Sequence, residues 1–236
     1  MHEQSFSAVV MAGGLGTRLR PLTDQMPKPM LPLGNRPLLE LIVDQLRAAG
    51  ACRVALATHY RANTIAAHFG DGGRFGIPIS YLVEEQPLGT AGALALLEPC
   101  EGPLLVMNGD ILTDLAVGHM LAHHHAHSAE MTVAVRQQEH QIPYGVLESE
   151  GPLVTAIREK PMLHYQISAG IYVLSPAAHR HIRAGQPCDM PDLIQELLRA
   201  GRRVVCFPVH GYWLDVGQPD NYRQAQEDLR AGHVCR

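Results

Sequence analysis

The chain has 236 residues, of which 46% are hydrophobic and 18% charged, enough for one substantial core in a single α/β domain. Its formal net charge of −4 lacks the basic surplus that binds nucleic acid or an anionic membrane through charge alone, so any phosphate it binds must be small and held locally. No apolar run approaches the ~18 residues of a membrane span, and residues 1–7 are polar rather than a signal peptide, which predicts a soluble, cytoplasmic protein.

A strand is expected at residues 6–11. After a loop rich in Gly, Arg and Pro comes a helix over 37–49, opened by Pro37, whose missing N–H does no harm there, and closed by Gly50. Strands near 53–58, 79–83 and 103–107 alternate with helices near 61–69 and from Thr90 onward, the pattern of a parallel sheet wound with helices. The tips after residues 11, 83 and 107 should converge on one crevice, because such sheets bind ligands at the carboxyl ends of their strands. After a helix near 115–125, strands near 131–136, 145–148, 154–158 and 167–174 follow with few helices between them. That predicts an antiparallel or mixed portion forming a lid or acceptor site. Helices near 176–184, 191–200 and 219–231 surround a last strand at 204–208. The fold class is therefore α/β, a mixed, mainly parallel sheet with helices on both faces. Cys52, Cys100, Cys188, Cys206 and Cys235 form no C-x-x-C pair and are expected to be reduced structural thiols.

After the first strand, Ala12 leads into Gly-Gly-Leu-Gly-Thr-Arg at 13–18. Gly13, Gly14 and Gly16, with Thr17, let backbone N–H groups approach an anion without interference from Cβ, which suits a phosphate or nucleotide cradle; a tight turn uses the same residues. The loop lacks the Lys-Ser/Thr ending of a Walker loop, and Leu19 stands where a dinucleotide fingerprint needs its third glycine. Its company favours an anion: Arg18 and Arg20, then Lys28 between Pro27 and Pro29, prolines that stiffen the backbone carrying the cation.

Residues 84–94 read Glu-Glu-Gln-Pro-Leu-Gly-Thr-Ala-Gly-Ala-Leu. Gly89 and Thr90 open a small-residue helix whose N-terminus can face a ligand. Glu84 or Glu85 can accept N–H groups from a base edge, with Gly89 leaving room for the flat base; a solvated acidic turn is the plain alternative. Asp110, in Asn108-Gly109-Asp110, and Asp215, after Trp213 and Leu214, are carboxylates delivered from apolar surroundings. If they meet, they make a hard oxygen site suited to Mg²⁺. Asp114 is a substitute ligand, although an N-cap before Leu115 also accounts for it.

Glu159, Lys160 and Pro161 repeat the lysine stiffened by proline; Lys160 can hold a second phosphate or pair with Glu159. Pro143, Tyr144 and Gly145 form a tight entry to a strand, suited to backbone contact with a sugar and equally to a plain turn. Among His123, His124, His125 and His127, only His123 and His127 share a helix face, and a solvated helix end is the expectation for the group.

Seven ordered segments resemble the nucleotidylyltransferases that act on sugar 1-phosphates, and most of all the mannose-1-phosphate guanylyltransferase-like enzymes. They are GGLGTRLRPLT at 13–23, PKPMLPL at 27–33, PLGTAGAL at 87–94, NGD at 108–110, EKP at 159–161, AGIYV at 169–173 and WLDVGQPDNY at 213–222. The resemblance implies a Rossmann-like, GT-A-like nucleotidyltransferase fold: one catalytic domain over 1–236, with a nucleotide-binding half at about 1–114 and a sugar-phosphate-binding half at about 115–236. It implies Mg²⁺ between Asp110 and Asp215, a triphosphate on the loop from Ala12 to Arg18 with Lys28 nearby, and catalysis by Arg18, Lys28, Asp110 and Asp215. Glu84, Pro87, Gly89, Thr90, Asn108 and Gly109 would complete the nucleotide site. Lys160, with Tyr144, Gly145, Glu159, Ser168 and Gly170, would hold the sugar phosphate. Family members often have Asn where this chain has Ser168, which leaves the sugar open.

The implied reaction moves a nucleoside monophosphate, from GTP by preference, to a sugar 1-phosphate and releases pyrophosphate. Uridylyl or thymidylyl transfer is the alternative within the family, and a non-catalytic nucleotide-sugar-binding regulatory subunit the alternative outside it. A glycosyltransferase would show a D-x-D metal motif, and Asn108-Gly109-Asp110 lacks the first aspartate. The implied partners are a nucleoside triphosphate and a sugar 1-phosphate, without nucleic acid or membrane, and exposed apolar helices would suit a homodimer.

Overall fold

The computed structural model describes residues 6–98 and 100–233, so Cys235 lies outside the described residues. In chain order the elements are β1 (Phe6–Met11), a short hairpin of β2 (Pro32–Leu33) and β3 (Arg36–Pro37), α1 (Leu38–Ala48), β4 (Ala51–Thr58), α2 (Ala62–Phe69), β5 (Ile79–Val83) and α3 (Gly89–Gly92). There follow β6 (Leu104–Asn108), β7 (Ile111–Thr113), α4 (Val117–Ala126), β8 (Met131–Gln141), β9 (Gly145–Glu150), β10 (Leu153–Glu159) and β11 (Met162–Leu174). The chain closes with α5 (Pro176–His179), α6 (Met190–Arg199), β12 (Val204–Pro208), β13 (Trp213–Asp215) and α7 (Pro219–Arg230).

Among the described residues, seven strands form one sheet in the order β12-β8-β11-β6-β1-β4-β5. β1 pairs in parallel with β4 and β6, β4 with β5 and β12 with β8, whereas β11 runs antiparallel to β6 and β8. Six strands thus point one way and β11 opposes them, the mixed, mainly parallel sheet expected. Side chains alternate between its faces: Ala8 and Val10 join a core with α1, α2, α4 and α7, while Val9 joins a second core with α3, α5 and α6. Leu105 and Val106, successive residues of β6, are buried in opposite cores. Full burial of such a side chain stabilises the fold by roughly 1.5–3 kcal/mol, which is why these strands read as continuous apolar runs.

β8 and β11 outrun the sheet. β11 pairs with β6 only through residues 171–174, while residues 162–166 pair with residues 137–141 of β8. This ribbon rises from the edge at which β1, β4, β5 and β6 end, and it carries the antiparallel β9–β10 hairpin at its tip. The register shifts between Ser168 and Tyr172, where the ribbon leaves the sheet. The strand expected at 131–136 is longer because residues 137–141, Gln-Gln-Glu-His-Gln, offer no apolar alternation to read.

Three other expectations change. The helix expected over 176–184 is only the four residues of α5. α4 begins at Val117 with Ala116 as its N-cap, so Asp114 does not cap it; Asp114 packs on Gly211, where a Cβ would fall 2.1 Å from its Oδ1. The four described cysteines are free, but Cys52 and Cys206 are exposed rather than buried.

On α4, the rings of His123 and His127 stack with centroids 4.1 Å apart, and Phe207 meets His123 edge-on. No group of three His, Cys, Asp or Glu able to hold a metal occurs among the described residues. His124 turns inward to bond Thr132 Oγ1 through Nδ1 at 2.9 Å, and burial, with the nearby His125 and His123, lowers its pKa to about 4.

Because the ordinary value is 6.5, the unfolded chain takes up this proton first as the pH falls. The stability that His124 contributes is full above that pH and is lost between there and about pH 4. Urea midpoints should fall across this window and fall less in His124→Gln; equal slopes would contradict the account. Ile111 of β7 is 2% exposed, and Ile111→Ala should cost about 2–5 kcal/mol in the same urea titrations at neutral pH.

Candidate active site

β1 delivers the glycine loop to the carboxyl edge of the sheet. Ala12 N–H donates to Ala57 O of β4 at 2.7 Å, extending the ladder one residue past Met11. The chain then turns at Gly16, whose φ of 62° lies in the left-handed region. Glycine is needed there for space as well, since a Cβ would lie 2.9 Å from Thr23 Cγ2 and 3.0 Å from Lys28 Cβ. Buried Thr23 donates from Oγ1 to Gly16 O at 2.8 Å. Thr17–Leu19 make one 3-10 turn, anchored by Leu19 in the core and carrying Arg18. A Cβ on Gly14 would meet nothing within 4 Å, so the backbone is open there.

Lys28, 8% exposed, sits in the 3-10 turn Lys28–Met30 with Pro27 and Pro29 on either side. Its Nζ is ion-paired with Asp110 Oδ2. Asp110 lies just past β6, where Gly109 N–H donates to Met11 O at 2.9 Å and ties the tips of β6 and β1 together. The β7–β13 pair sets Asp215 opposite Ile111, and Val216 N–H donates to Asp110 O at 2.8 Å. Asn221 Nδ2 holds the Asp215 carbonyl at 2.6 Å. Arg18 reaches the same place: a Cβ on Gly217 would lie 2.9 Å from Asp215 Oδ1 and 3.3 Å from Arg18 Nη2.

The electrostatics follow from this packing. Burial first, and then the charge of Asp110, push the Asp215 carboxyl pKa above its ordinary value, while Lys28 and Arg18 pull it back. Asp110 Oδ1 and Asp215 Oδ1 are both buried and have no hydrogen-bond partner among the described residues. Leaving a buried acceptor unpaired costs about 1–3 kcal/mol, and more when it is charged. Two such oxygens beside two cations are the donor set that a hard divalent cation takes together with phosphate oxygens.

Glu84 follows β5 and is 8% exposed, whereas Glu85 is exposed. Glu84 N–H donates to Thr58 O and its Oε1 accepts from Leu88 N–H, both at 2.9 Å, so this carboxylate braces the turn that holds Pro87. Its Oε2 faces Gly13, where a Cβ would come within 2.9 Å. Gly89, expected to leave room for a base, is instead packed on the segment before α6: its φ is 82°, and a Cβ would fall 2.7 Å from both Asp189 Oδ1 and Cys188 O. Nor is the start of α3 open to a ligand. Thr90 N–H donates to Asp189 Oδ1 at 2.8 Å, and Ala91 and Gly92 N–H both donate to Cys188 O at 2.9 Å.

The residues expected on the acceptor side fall into two groups. Gly170, with φ 71°, lies against Asn108, whose Nδ2 would be 2.7 Å from an added Cβ. Gly170 N–H donates to Ser168 Oγ at 3.3 Å, Ser168 Oγ bonds Tyr172 OH at 2.8 Å, and Trp213 Nε1 donates to Ala169 O at 2.8 Å. Ser168 and Gly170 therefore adjoin β6 and β13. Tyr144, Gly145, Glu159 and Lys160 form the second group, where the hairpin meets the ribbon. Lys160 N–H donates to Tyr144 O at 3.2 Å, and Lys160 Nζ lies 4.0 Å from Glu159 Oε1 with both side chains exposed. Residues 162–166 of the ribbon separate this group from Ser168 along β11.

The structure thus gathers Arg18, Lys28, Asp110 and Asp215, with Asn108 and Gly109 at the margin, and leaves Lys160 on a projecting arm. Sequence reasoning missed three supports. Thr23 stood inside a recognised segment without a role. Asp189 stands just before the helix expected over 191–200 and was given no role. Asn221, like Thr23, stood inside a recognised segment, 213–222, without a role.

The chain matches the family model described as Nucleotidyl transferase over residues 7–232. It is 34% identical over 225 residues to the mannose-1-phosphate guanyltransferase of Schizosaccharomyces pombe, covering 91% of this chain and 62% of that one. With the mannose-1-phosphate guanylyltransferase catalytic subunit beta of Danio rerio it shares 35% identity over 246 residues, 95% of this chain and 68% of the relative. The chain thus spans about three fifths of the first of these relatives. A putative glucose-1-phosphate thymidylyltransferase from Bacillus anthracis has the same fold, with a TM-score of 0.77, 22% identity and 96% of each chain covered. So has HddC from Yersinia pseudotuberculosis, solved also in complex with GMP-PN, with a TM-score of 0.73, 24% identity and coverage of 94% of this chain and 99% of that one. No described helix is long and apolar enough to cross a membrane. With a family model matched along nearly its whole length and a Rossmann-like, mainly parallel sheet beneath the cluster, the chain belongs to the nucleotidyl transferase family.

Proposed function

We propose that this chain transfers a nucleoside monophosphate from a nucleoside triphosphate, GTP by preference, to a sugar 1-phosphate and releases pyrophosphate. The observation that carries the reading is the cluster of Asp110 and Asp215 with Lys28 and Arg18 at the carboxyl edge of the sheet, two of its carboxylate oxygens buried and unpaired. The guanylyl preference draws its support from relatives named for mannose-1-phosphate guanylyl transfer. Residues 1–114 form the nucleotide half and 115–236 the sugar-phosphate half of one catalytic domain.

A sugar 1-phosphate is a monoester whose second pKa is about 6, so near neutral pH most of it is doubly charged and its oxygen attacks without a general base. That oxygen adds in line to the α-phosphorus of the nucleotide; the bond to the bridging oxygen breaks, and pyrophosphate leaves with the electron pair. The glycine loop from Ala12 to Thr17 receives the triphosphate through backbone N–H groups, Arg18 and Lys28 balance charge that builds on the leaving group, and Glu84 and Pro87 border the base. Lys160 neutralises the sugar phosphate, with Tyr144, Gly145, Glu159, Ser168 and Gly170 around the sugar. Asp110 and Asp215 would hold Mg²⁺, which supplies positive charge to the phosphates when bound.

The same proposal covers a cytoplasmic location and a homodimer. Apolar side chains exposed on the hairpin, Leu147, Leu153, Val154 and Ile157, support the dimer better than the helices do. Light scattering should give twice the chain mass, and Ile157→Glu should return the protein to a monomer; a wild-type monomer at micromolar concentration removes the dimer.

The reaction is tested by incubating the protein with Mg²⁺, each ribonucleoside triphosphate or dTTP, and a panel of hexose, hexosamine and heptose 1-phosphates. Pyrophosphate should appear with GTP and one matched sugar phosphate. Release with UTP or dTTP instead reassigns the base, and tight binding of nucleotide sugars without turnover assigns a regulatory subunit. Lys28→Ala and Asp110→Asn should each lower turnover about a hundredfold or more with circular dichroism unchanged, and near-normal rates in either would sink the assignment.

A further inference from the structure

We propose that Asp189 is the positioning residue of the nucleotide-reading loop, an inference that rests on residues 84–88 bordering the base. The loop is clamped at two points by two carboxylates from opposite halves of the chain. At the front, Glu84 Oε1 accepts Leu88 N–H. At the rear, Asp189 Oδ1 accepts both Thr90 N–H at 2.8 Å and Thr90 Oγ1–H at 3.1 Å. Thr90 Oγ1 in turn accepts Met190 N–H at 2.8 Å, and Cys188 N–H donates to Leu88 O at 2.8 Å, so the two segments hold each other reciprocally.

Gly89 lies between the clamps in left-handed backbone, with no room for a side chain against Cys188 and Asp189. Glycine takes that conformation without strain, so the contacts on either side of it, from Asp189 Oδ1 and from the Cys188 backbone, are what hold it in place. The support behind Asp189 is firm. α6 starts at Met190, Asp192 Oδ2 accepts Asp189 N–H at 3.1 Å, and Met190, Leu193 and Leu197 are buried in the core with Ala91 and Leu94. Asp189 therefore transmits the rigidity of α6 to a short loop that otherwise has exposed Glu85, Gln86 and Pro87. It touches no substrate in this account; it fixes the backbone that does, so its loss should weaken nucleotide binding and leave the chemical step alone.

The test compares Asp189→Ala, Asp189→Ser, Asp189→Asn and Asp192→Ala with the wild type, by KM and kcat for each substrate and by calorimetric titration of GTP. Serine still caps α6 but cannot reach Thr90, so Asp189→Ser keeps the measurement meaningful if Asp189→Ala folds poorly. Both should raise the GTP KM and Kd about tenfold, with kcat and the sugar-phosphate KM within about twofold. Asp189→Asn retains an acceptor oxygen for Thr90 and should stay within about threefold. Asp192→Ala loosens the same turn of α6 without touching Thr90 and should stay near wild type. Equal losses in Asp192→Ala and Asp189→Ser, or a fall in kcat at unchanged GTP KM, overturn the proposal. A wild type that binds GTP but transfers nothing defeats the reaction above and leaves the Kd series to decide Asp189; one that binds no nucleotide defeats both.

Discussion

Two carboxylates sit together at the carboxyl edge of the sheet, each with one oxygen buried and unpaired, and the rest of the structure answers to that constraint. Like charges so placed repel, and burial adds to the cost, as the raised pKa of Asp215 records. The protein offsets part of this with Lys28 and Arg18, held by prolines around Lys28, by a 3-10 turn under Arg18, and by a left-handed glycine that lets Lys28 pack against the loop. One oxygen on each aspartate is still left without a donor. A fold that only needed to be stable would have paired those oxygens or replaced them with apolar groups.

Sheet direction explains why everything meets at one edge. Four adjacent parallel strands, β6-β1-β4-β5, end there, and the Gly109–Met11, Ala12–Ala57 and Glu84–Thr58 hydrogen bonds lace their tips. β11 is the exception that completes the site. By running the other way it brings Ser168 and Gly170 in beside Asn108, and with β8 it throws the hairpin beyond the edge. The residues proposed to hold the nucleotide thus lie along the edge of the sheet, and most of those proposed to hold the sugar phosphate on the ribbon.

Much of this was legible in the residues. The parallel strands announce themselves because burial on both faces forces continuous apolar runs, and the glycine loop, the braced lysine and both aspartates stand out against their surroundings. What was not legible depends on pairing between distant segments. β7 and β13 are three residues each, too short for any periodicity, yet they bring Asp110 and Asp215 together. The extensions of β8 and β11 face solvent on both sides and carry no alternation. Gly89 was noticed for the right property and the wrong partner: its missing Cβ accommodates Cys188 and Asp189, about a hundred residues away, which no local pattern reveals.

The projecting ribbon has an evolutionary consequence. Its strands beyond the sheet and its hairpin have both faces in solvent and share no side chains with either core, whereas the carboxylates are embedded beside the cores. Substitutions on the arm therefore leave global stability almost untouched, and those near Asp110 do not. Such separation lets the arm vary through many tolerated intermediates, while the cluster of Asp110, Asp215, Lys28 and Arg18 stays fixed in the part of the molecule that can least afford to change.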